Sequence, residues 1–563
     1  MAIDRADAIA QVTATGQPFE TRIETIRGER FTVFAHAPAN LRELYRQGLA
    51  HADADYYIYE DTRLTFGGIW REAARVANAL KERGIAPGER VGIAARNYPE
   101  WIVAFMGITS MGGVAVALNA WWTGEELVYG IEDSGLKLLF TDIERTERLL
   151  PHLGDLDIEV VTIRHQQDGL RTWEEFLAGA SDAMPEPHIA PDDNATILYT
   201  SGSTAHPKGV LSTHRAITNA LLGWECGGAV GMAMNPEMAR QMAENPSPYQ
   251  QSMILSVPLF HVTGLVVQAL SAFRPGRKLV GMYKWDVTEA MRIIEAERIT
   301  AFNGVPTMAA ELAQAPDRDQ YDLSSLKSAG GGGAPMAPEQ SRQVEKAIGK
   351  GAAGTGWGMT ETQGLATTIG GPALMERPRS CGRAVEPLVH VKAVLPDGRD
   401  AAADETGELW IHGVNNFSEY WNKPDATSEA LTDGWVHTGD IGHVDAEGFV
   451  FITDRLKDMV LRGGENIGCQ EVEAVLYEHP AIMEAAVFGV PDERLGETVA
   501  AVVARTPGEE LSTDEVKAHV AEHLARFKVP EHVWIRDEQL PRIASEKIFK
   551  RGLREEAIRA LAP

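Results

Sequence analysis

The chain has 563 residues, 44% of them apolar and 24% charged, which is ordinary for a soluble globular protein but too long for one compact core. Its formal net charge of −27 excludes general nucleic-acid binding, which needs a basic face, and leaves an anionic substrate open only where the site is locally positive. Cys226, Cys381 and Cys469 lie far apart and suggest neither a disulfide framework nor a metal site, so a reduced, cytoplasmic setting is expected.

In chain order, the N-terminus has neither a basic stretch nor an apolar run of the secretory kind, and no signal peptide is expected. The stretch WIVAFMGITSMGGVAVALNAWW (101–122) carries no charge and is long enough to span a bilayer. Its glycines and hydroxyls interrupt it, however, and the better reading is a buried helix, a Gly-Gly turn and the strand VAVALN, with no transmembrane segment. Strand-like runs then recur between helical patterns: RVGIAAR, GVAVALN, LKLLFTD, ATILYTS, SMILSVPL and RITAFNGVP. WDVTEAMRIIEAER has helical spacing. The alternation predicts an α/β fold with mainly parallel, doubly wound sheets flanked by helices. After the strand GFVFIT the pattern changes to a small α+β unit. AIMEAAVFGV, ETVAAVVAR and VWIR read as strands, Ser512-x-x-Glu515 opens a helix bearing Val516, Val520 and Leu524 on one face, and the tail from Ile548 reads as helical. The expected division is a large N-terminal domain (1–454), a hinge (455–457) and a small mobile domain (458–563).

The loop YTSGSTAHPKGV (199–210) follows the strand ATILYTS. A strand that ends in small hydroxyls and glycine and then enters a helix is a phosphate-binding design. Backbone N–H groups and hydroxyls wrap phosphate oxygens, and a lysine adds charge. It is not the GxxxxGK[ST] pattern, because Lys208 precedes Gly209.

Six further motifs come after it in order: PLFHVTG (258–264), SAGGGGAPM (328–336), GTGWGMTET (354–362), GWVHTGD (434–440), DRLKDMVLRGGENI (454–467) and PRIASEKIFKR (541–551). Together they resemble the adenylate-forming superfamily of AMP-dependent synthetases and ligases, in its acyl-CoA synthetase branch. The resemblance runs from about residue 50 to the end of the chain.

That resemblance implies an enzyme that would join a carboxylic acid to the α-phosphate of ATP, expel pyrophosphate, and pass the acyl group to coenzyme A. By the same resemblance, Thr200, Ser201, Gly202, Ser203, Thr204 and Lys208 would hold the departing phosphates. Gly332, Gly333 and Ala334, with Gly356, Trp357, Gly358 and Met359, would form the nucleotide pocket, Trp357 lying against adenine. Thr360 would bind the α-phosphate and Glu361 would hold Mg²⁺, a hard cation suited to oxygen ligands. Asp440 would accept from the ribose hydroxyls and Arg455 would reach ribose or phosphate. His261, with Gly331 and Gly332, would line and gate the acyl side. Lys547 would bridge the acid carboxylate and the α-phosphate; Lys457 would be the hinge about which the small domain turns; Gly463 and Gly464 would let pantetheine pass in the second pose.

Two positions depart from the family pattern, which has glycine where this chain has Ala205 and Glu546. The Glu546 carboxylate is expected to pair with Lys547 or Lys550, or to point to solvent. The glycines at 330–333, 354, 356 and 364 remove side chains near the expected acyl pocket. They point first to a medium- or long-chain fatty acid, and next to an aryl or polycyclic acid. A loader of carrier proteins, a luciferase-like oxygenase and a non-catalytic acyl or nucleotide binder share the same motifs. The expected partners are therefore the acid, ATP and CoA. The oligomeric state is open, with a homodimer compatible.

Overall fold

A computed structural model describes residues 3–200, 207–349, 351–456, 458–462, 465–492 and 494–561. The large domain is built on two extended sheets. In the eight-stranded sheet the order runs Glu419–Tyr420, Lys208–Thr213, Asn194–Thr200, Val114–Ala117, Arg90–Ala94, Leu138–Thr141, Glu159–Thr162, Arg171–Thr172. From Asn194–Thr200 onward these strands pair in parallel, and the central ones, Val114–Ala117 and Leu138–Thr141, are buried along their whole length, as apolar strands of a parallel sheet are.

The stretch 101–122 resolves as the sequence predicts. Helix Pro99–Ser110 is buried on nearly every side, and strand Val114–Ala117 follows it. Among the described residues no helix is long and apolar enough to cross a membrane. Trp101 and Phe105 stack in the helix interior, and Gly107 lets helix Phe66–Glu82 pack close: a Cβ there would stand 2.5 Å from Val76 Cγ1.

The fourteen-stranded sheet departs from the mainly parallel expectation. One half is parallel and includes Ser252–Leu255, Ala301–Gly304, Ser328–Gly332 and Ala353–Trp357. Its continuation through Thr367–Gly370, Gly382–Ala384, Phe449–Arg455, Trp435–Val444, Gly407–Gly413 and Val389–Val394 is antiparallel. The alternating burial along Gly407–Gly413 shows a strand with one face toward the core and one half-open, the normal state of antiparallel strands.

The small C-terminal domain is a five-stranded sheet of Val460–Arg462, Glu465–Ile467, Ile482–Asp492, Gly496–Arg505 and His532–Arg536. Helices Cys469–Leu476, Thr513–His523 and Lys550–Leu561 flank it. The Ser512 capping box forms, with Glu515 N to Ser512 Oγ at 3.3 Å and Ser512 N to Glu515 Oε2 at 2.8 Å. Val516 and Val520 are buried as expected; Leu524 lies just past the helix end and still packs on the same cluster.

Candidate active site

Three parallel strands, Ala301–Gly304, Ser328–Gly332 and Ala353–Trp357, end at one edge, and Gly333, Ala334 and the turn Thr360–Thr362 come directly after them. Ligand sites in open α/β sheets form at this edge. Gly332 pairs with Gly356 in register, so the two expected nucleotide-pocket glycines are neighbours.

The glycines serve packing more than pocket volume. A Cβ on Gly330 would stand 2.2 Å from Gly354 O, one on Gly331 2.2 Å from Gly304 O, and one on Gly356 2.6 Å from Thr367 O. Gly358 would meet Gly364 O at 2.3 Å. Neighbouring backbone fills the space that side chains at Gly330, Gly331 and Gly356 would take, so at these three positions the missing side chain serves close strand packing rather than pocket volume, whereas Gly354 has no neighbour nearer than 3.7 Å. Gly333 is different: its φ is +80°, and a Cβ there would lie 3.4 Å from Lys547 Nζ.

The phosphate loop also departs from expectation. Strand Asn194–Thr200 is followed not by a helix but by the antiparallel strand Lys208–Thr213, Thr200 pairing with Lys208, and helix His214–Met234 comes only after it. Thr200 Oγ1 donates to Lys208 O at 3.4 Å. Ser201, Gly202, Ser203, Thr204 and Ala205 lie outside the described residues, as do Lys457, Gly463 and Gly464. Lys208 sends its ammonium over the ring of Tyr420, 4.7 Å from its centre.

Glu361 is buried, 6% exposed, and its Oε1 accepts a 2.6 Å hydrogen bond from the Tyr420 hydroxyl. Burial pushes its carboxyl up, while Tyr420, Arg455 and Lys208 pull the other way. Among the described residues no group of three or more His, Cys, Asp or Glu side chains could hold a metal ion by itself. A lone buried carboxylate near Lys208 fits magnesium that arrives with nucleotide phosphates, since that ion usually takes one or two carboxylates and keeps water and phosphate oxygens. Thr360, next in chain, is partly exposed on the same turn.

Asp440 and Arg455 face each other across the ladder of Trp435–Val444 and Phe449–Arg455. Arg455 Nε donates to Asp440 Oδ1 at 3.0 Å, and Trp357 Nε1 donates to Asp440 Oδ2 at 2.7 Å. Trp357 is buried in the cluster that holds Leu365, Val385 and Leu388, so its indole is anchored as a core side chain as well as placed beside the candidate ribose site. Met359 packs on the small cluster of Val210, Phe417, Tyr420 and Val436.

Lys547 reaches this site from the small domain. Burial and the Arg455 guanidinium hold its ammonium down to about 8, against the pull of Asp440. His261 caps the turn before Thr263–Ala269, and its backbone N–H donates to Pro258 O at 3.0 Å. Burial and Lys547 keep its imidazole down to about 3, and its Nε2 has no hydrogen-bond partner among the described residues. It is therefore a neutral ring near the lysine, in keeping with a wall or gate.

Glu546 pairs with neither Lys547 nor Lys550. Its nearest cation is Arg542 Nη1 at 3.9 Å, and Lys550 is committed to Glu473 at 2.6 Å. The Glu546 backbone has φ +63°, the left-handed region that favours glycine. It lies in the tight turn closed by Ile543 N to Lys547 O at 2.9 Å and Glu546 N to Ile543 O at 2.8 Å.

Three residues of the site escape a reading of the sequence: Tyr420, Arg542 and Glu311. Tyr420 joins Lys208 to Glu361. Arg542 donates to Glu311 of the large domain at 2.6 Å and is also ion-paired with Glu484 of its own domain. Arg542 sits inside the recognised PRIASEKIFKR stretch, a signal available but unused; nothing in spacing could link 361 with 420, or 311 with 542.

The geometry thus sets a lysine of the small domain against the glycine-rich strand ends of the large one. The description "AMP-binding enzyme" matches residues 44–421, and "AMP-binding enzyme C-terminal domain" matches 471–547. The chain is 33% identical over 495 residues to a feruloyl-CoA synthase of an Amycolatopsis species, covering 88% of this chain and 94% of that one. It is 33% identical over 505 residues to the long-chain-fatty-acid–CoA ligase FadD13 of Mycobacterium tuberculosis, covering 88% and 93%. The anthranilate CoA ligase AuaEII with anthranoyl-AMP superposes with a TM-score of 0.83 at 25% identity, over 93% of this chain and 98% of that one. ATP-bound MatB from Rhodopseudomonas palustris gives 0.80 at 27% identity, over 93% and 100%. The chain belongs to the AMP-binding enzyme family, in its acyl-CoA synthetase branch, and is an AMP-forming acid–CoA ligase.

Proposed function

We propose that the protein activates an apolar-bodied carboxylic acid in two half-reactions at the cleft between Gly333, Thr360, Asp440 and Lys547. In the first, a carboxylate oxygen attacks the α-phosphorus of ATP and pyrophosphate leaves. In the second, the CoA thiol attacks the acyl carbonyl and AMP leaves. The observation that carries this reading is Lys547, a buried lysine delivered across a domain boundary to Gly333, beside Asp440 and Arg455.

Two anions meet in the first step, so positive charge and donors are the main requirement. Lys547 bridges the carboxylate and the α-phosphate; nearby anions raise its proton affinity and keep it charged. Lys208 and the hydroxyls of Thr200, Ser201, Ser203 and Thr204 bind the leaving phosphates, and Thr360 donates to the α-phosphate. Glu361 would hold Mg²⁺, which supplies neutralising charge on the phosphate oxygens. Asp440 keeps spare lone pairs on both oxygens for ribose hydroxyls, although Trp357 and Arg455 already occupy one on each. His261 is a neutral wall and moves no proton. For the second step the small domain turns about Lys457, and Gly463 and Gly464 flank the path of pantetheine.

For the acid, a medium- or long-chain fatty acid is the first candidate, in line with the FadD13 relative. An aryl acid is the second, and one observation favours it: the space beside Gly330, Gly331 and Gly356 is filled by backbone rather than left for a long chain. A pyrophosphate-release screen over decanoate, palmitate, ferulate and anthranilate, with and without CoA, tests both. Acid-dependent release with CoA-dependent thioester supports the ligase reading; ATP binding without acid-dependent release refutes it.

A further inference from the structure

The segment 417–421 is held on two sides. Phe417 N donates to Glu361 O at 2.7 Å, Ser418 N to Leu211 O at 2.8 Å, and Trp421 N to Gly209 O at 2.8 Å. Between these, strand Glu419–Tyr420 pairs with Lys208–Thr213, Val210 opposite Tyr420. The segment is thus stitched both to the turn that carries Glu361 and to the strand that begins with Lys208. Beyond it, Trp421 Nε1 and Asn422 Nδ2 donate to Asp133 O at 3.0 and 3.2 Å, and Lys423 pairs with the Asp133 carboxylate at 3.0 Å.

Tyr420 is 7% exposed, and its two chemically distinct parts are both in use. The hydroxyl donates to Glu361 Oε1 at 2.6 Å, while the ring face carries the Lys208 ammonium at 4.7 Å. The Lys208 ammonium also acts electrostatically on the Glu361 carboxylate, so lysine, ring and carboxylate form one cluster. A tyrosine kept only for packing would not need its hydroxyl on a buried carboxylate and its ring under a lysine from another strand.

We propose that Tyr420 is a positioning residue that sets Lys208 and Glu361 relative to one another, its ring holding the phosphate lysine and its hydroxyl turning one oxygen of Glu361 away so that the other faces the cleft. The proposal rests on the reading that Lys208 binds phosphate and Glu361 binds the metal. A ring under an ammonium guides it without neutralising it, as an acidic partner would, so the lysine stays available to phosphate. An orienting hydrogen bond on a metal-binding carboxylate fixes its direction.

The two contacts are separable in the full-length protein. Tyr420→Phe keeps the ring and removes the hydroxyl; Tyr420→Leu removes both. Metal binding is read twice, as the half-saturating Mg²⁺ for acid-dependent pyrophosphate release and as Mn²⁺ affinity of the enzyme–ATP complex by electron paramagnetic resonance without acid. ATP affinity is read by equilibrium dialysis in EDTA. Tyr420→Phe should raise the half-saturating Mg²⁺ and weaken Mn²⁺ about tenfold. Its metal-free ATP affinity should stay within about twofold, whereas Tyr420→Leu should weaken that affinity about fivefold as well.

Unshifted metal midpoints in Tyr420→Phe would overturn the proposal. So would a fall in turnover that only tracks a fall in folded fraction. If Tyr420→Leu does not fold, the Mn²⁺ and ATP affinities of Tyr420→Phe decide alone. Failure of the wild type to release pyrophosphate with any acid would instead refute the underlying ligase reading, and the binding measurements would still report on Tyr420.

Discussion

Lys547 Nζ lies 3.4 Å from where a Cβ on Gly333 would stand, so a residue of the small domain occupies the space that a side chain of the large domain leaves empty. Lys547→Ala should abolish acid-dependent pyrophosphate release yet spare CoA thioester formation from supplied acyl-adenylate. Gly333→Ala should lower the first half-reaction selectively, because it adds a methyl against the lysine and costs about 1 kcal/mol at φ +80°. Single-turnover assays of the two halves check both. Equal loss in both halves by Lys547→Ala would exclude the two-pose assignment.

The lysine should also set an alkaline limit. Burial first, and Arg455 second, hold Lys547 down to about 8, and only its protonated form can bridge two anions. The protonated fraction is therefore nearly complete well below that value and declines above it. We expect kcat/KM for adenylation to fall by about tenfold per pH unit on the alkaline side, since this parameter reports the free enzyme. Asp440 is the group that pulls the lysine up, so Asp440→Asn should move the limb to lower pH. The thiol-transfer half-reaction should lack a limb that depends on Lys547.

Across the domain boundary, Glu311 accepts from Arg542 at 2.6 Å and from Gln539 Nε2 at 3.3 Å; within its own domain it accepts from Trp285 Nε1 at 2.6 Å. Glu311→Gln removes the charge from the large-domain side without orphaning the buried Glu484, which keeps Arg542. The docked pose should lose about 1 kcal/mol, and adenylation should slow about fivefold, with little change in thiol transfer. Arg542→Ala is the harsher change, because it strands Glu484 unpaired at 4% side-chain exposure. It should destabilise the small domain by about 3 kcal/mol, seen as a lower melting temperature.

Glu546 stands at φ +63° in the turn just before Lys547. Glycine there relieves about 1 kcal/mol of backbone strain but is more flexible when unfolded, so Glu546→Gly should change stability by less than about 1 kcal/mol. Its adenylation rate should equal or exceed that of the parent. Glu546→Ile, β-branched at a positive φ, should slow adenylation more than Glu546→Gly. Melting curves with pyrophosphate-release rates separate the backbone effect from loss of the weak Arg542 contact.

Much of this protein was legible in one dimension. The parallel strands, the buried run 101–122 and the Ser512 cap were readable because apolar periodicity and capping are local properties. The ordered motifs were readable too, since each packs its residues into a short stretch. Missed were the antiparallel half of the large sheet and the hairpin return at Lys208, because the partner of a strand is not written in the strand.

By itself the sequence determined the family and the two chemically different regions, and it named Lys547, Glu361 and Asp440 as candidates. The tertiary structure alone decided that Glu546 turns to Arg542, that backbone closes the space beside Gly330, Gly331 and Gly356, and that Tyr420 sits between Lys208 and Glu361. These are contacts between side chains and backbone whose partners no local pattern names. Their energies depend on burial and on who else competes for each hydrogen bond, and both exist only once the chain has folded.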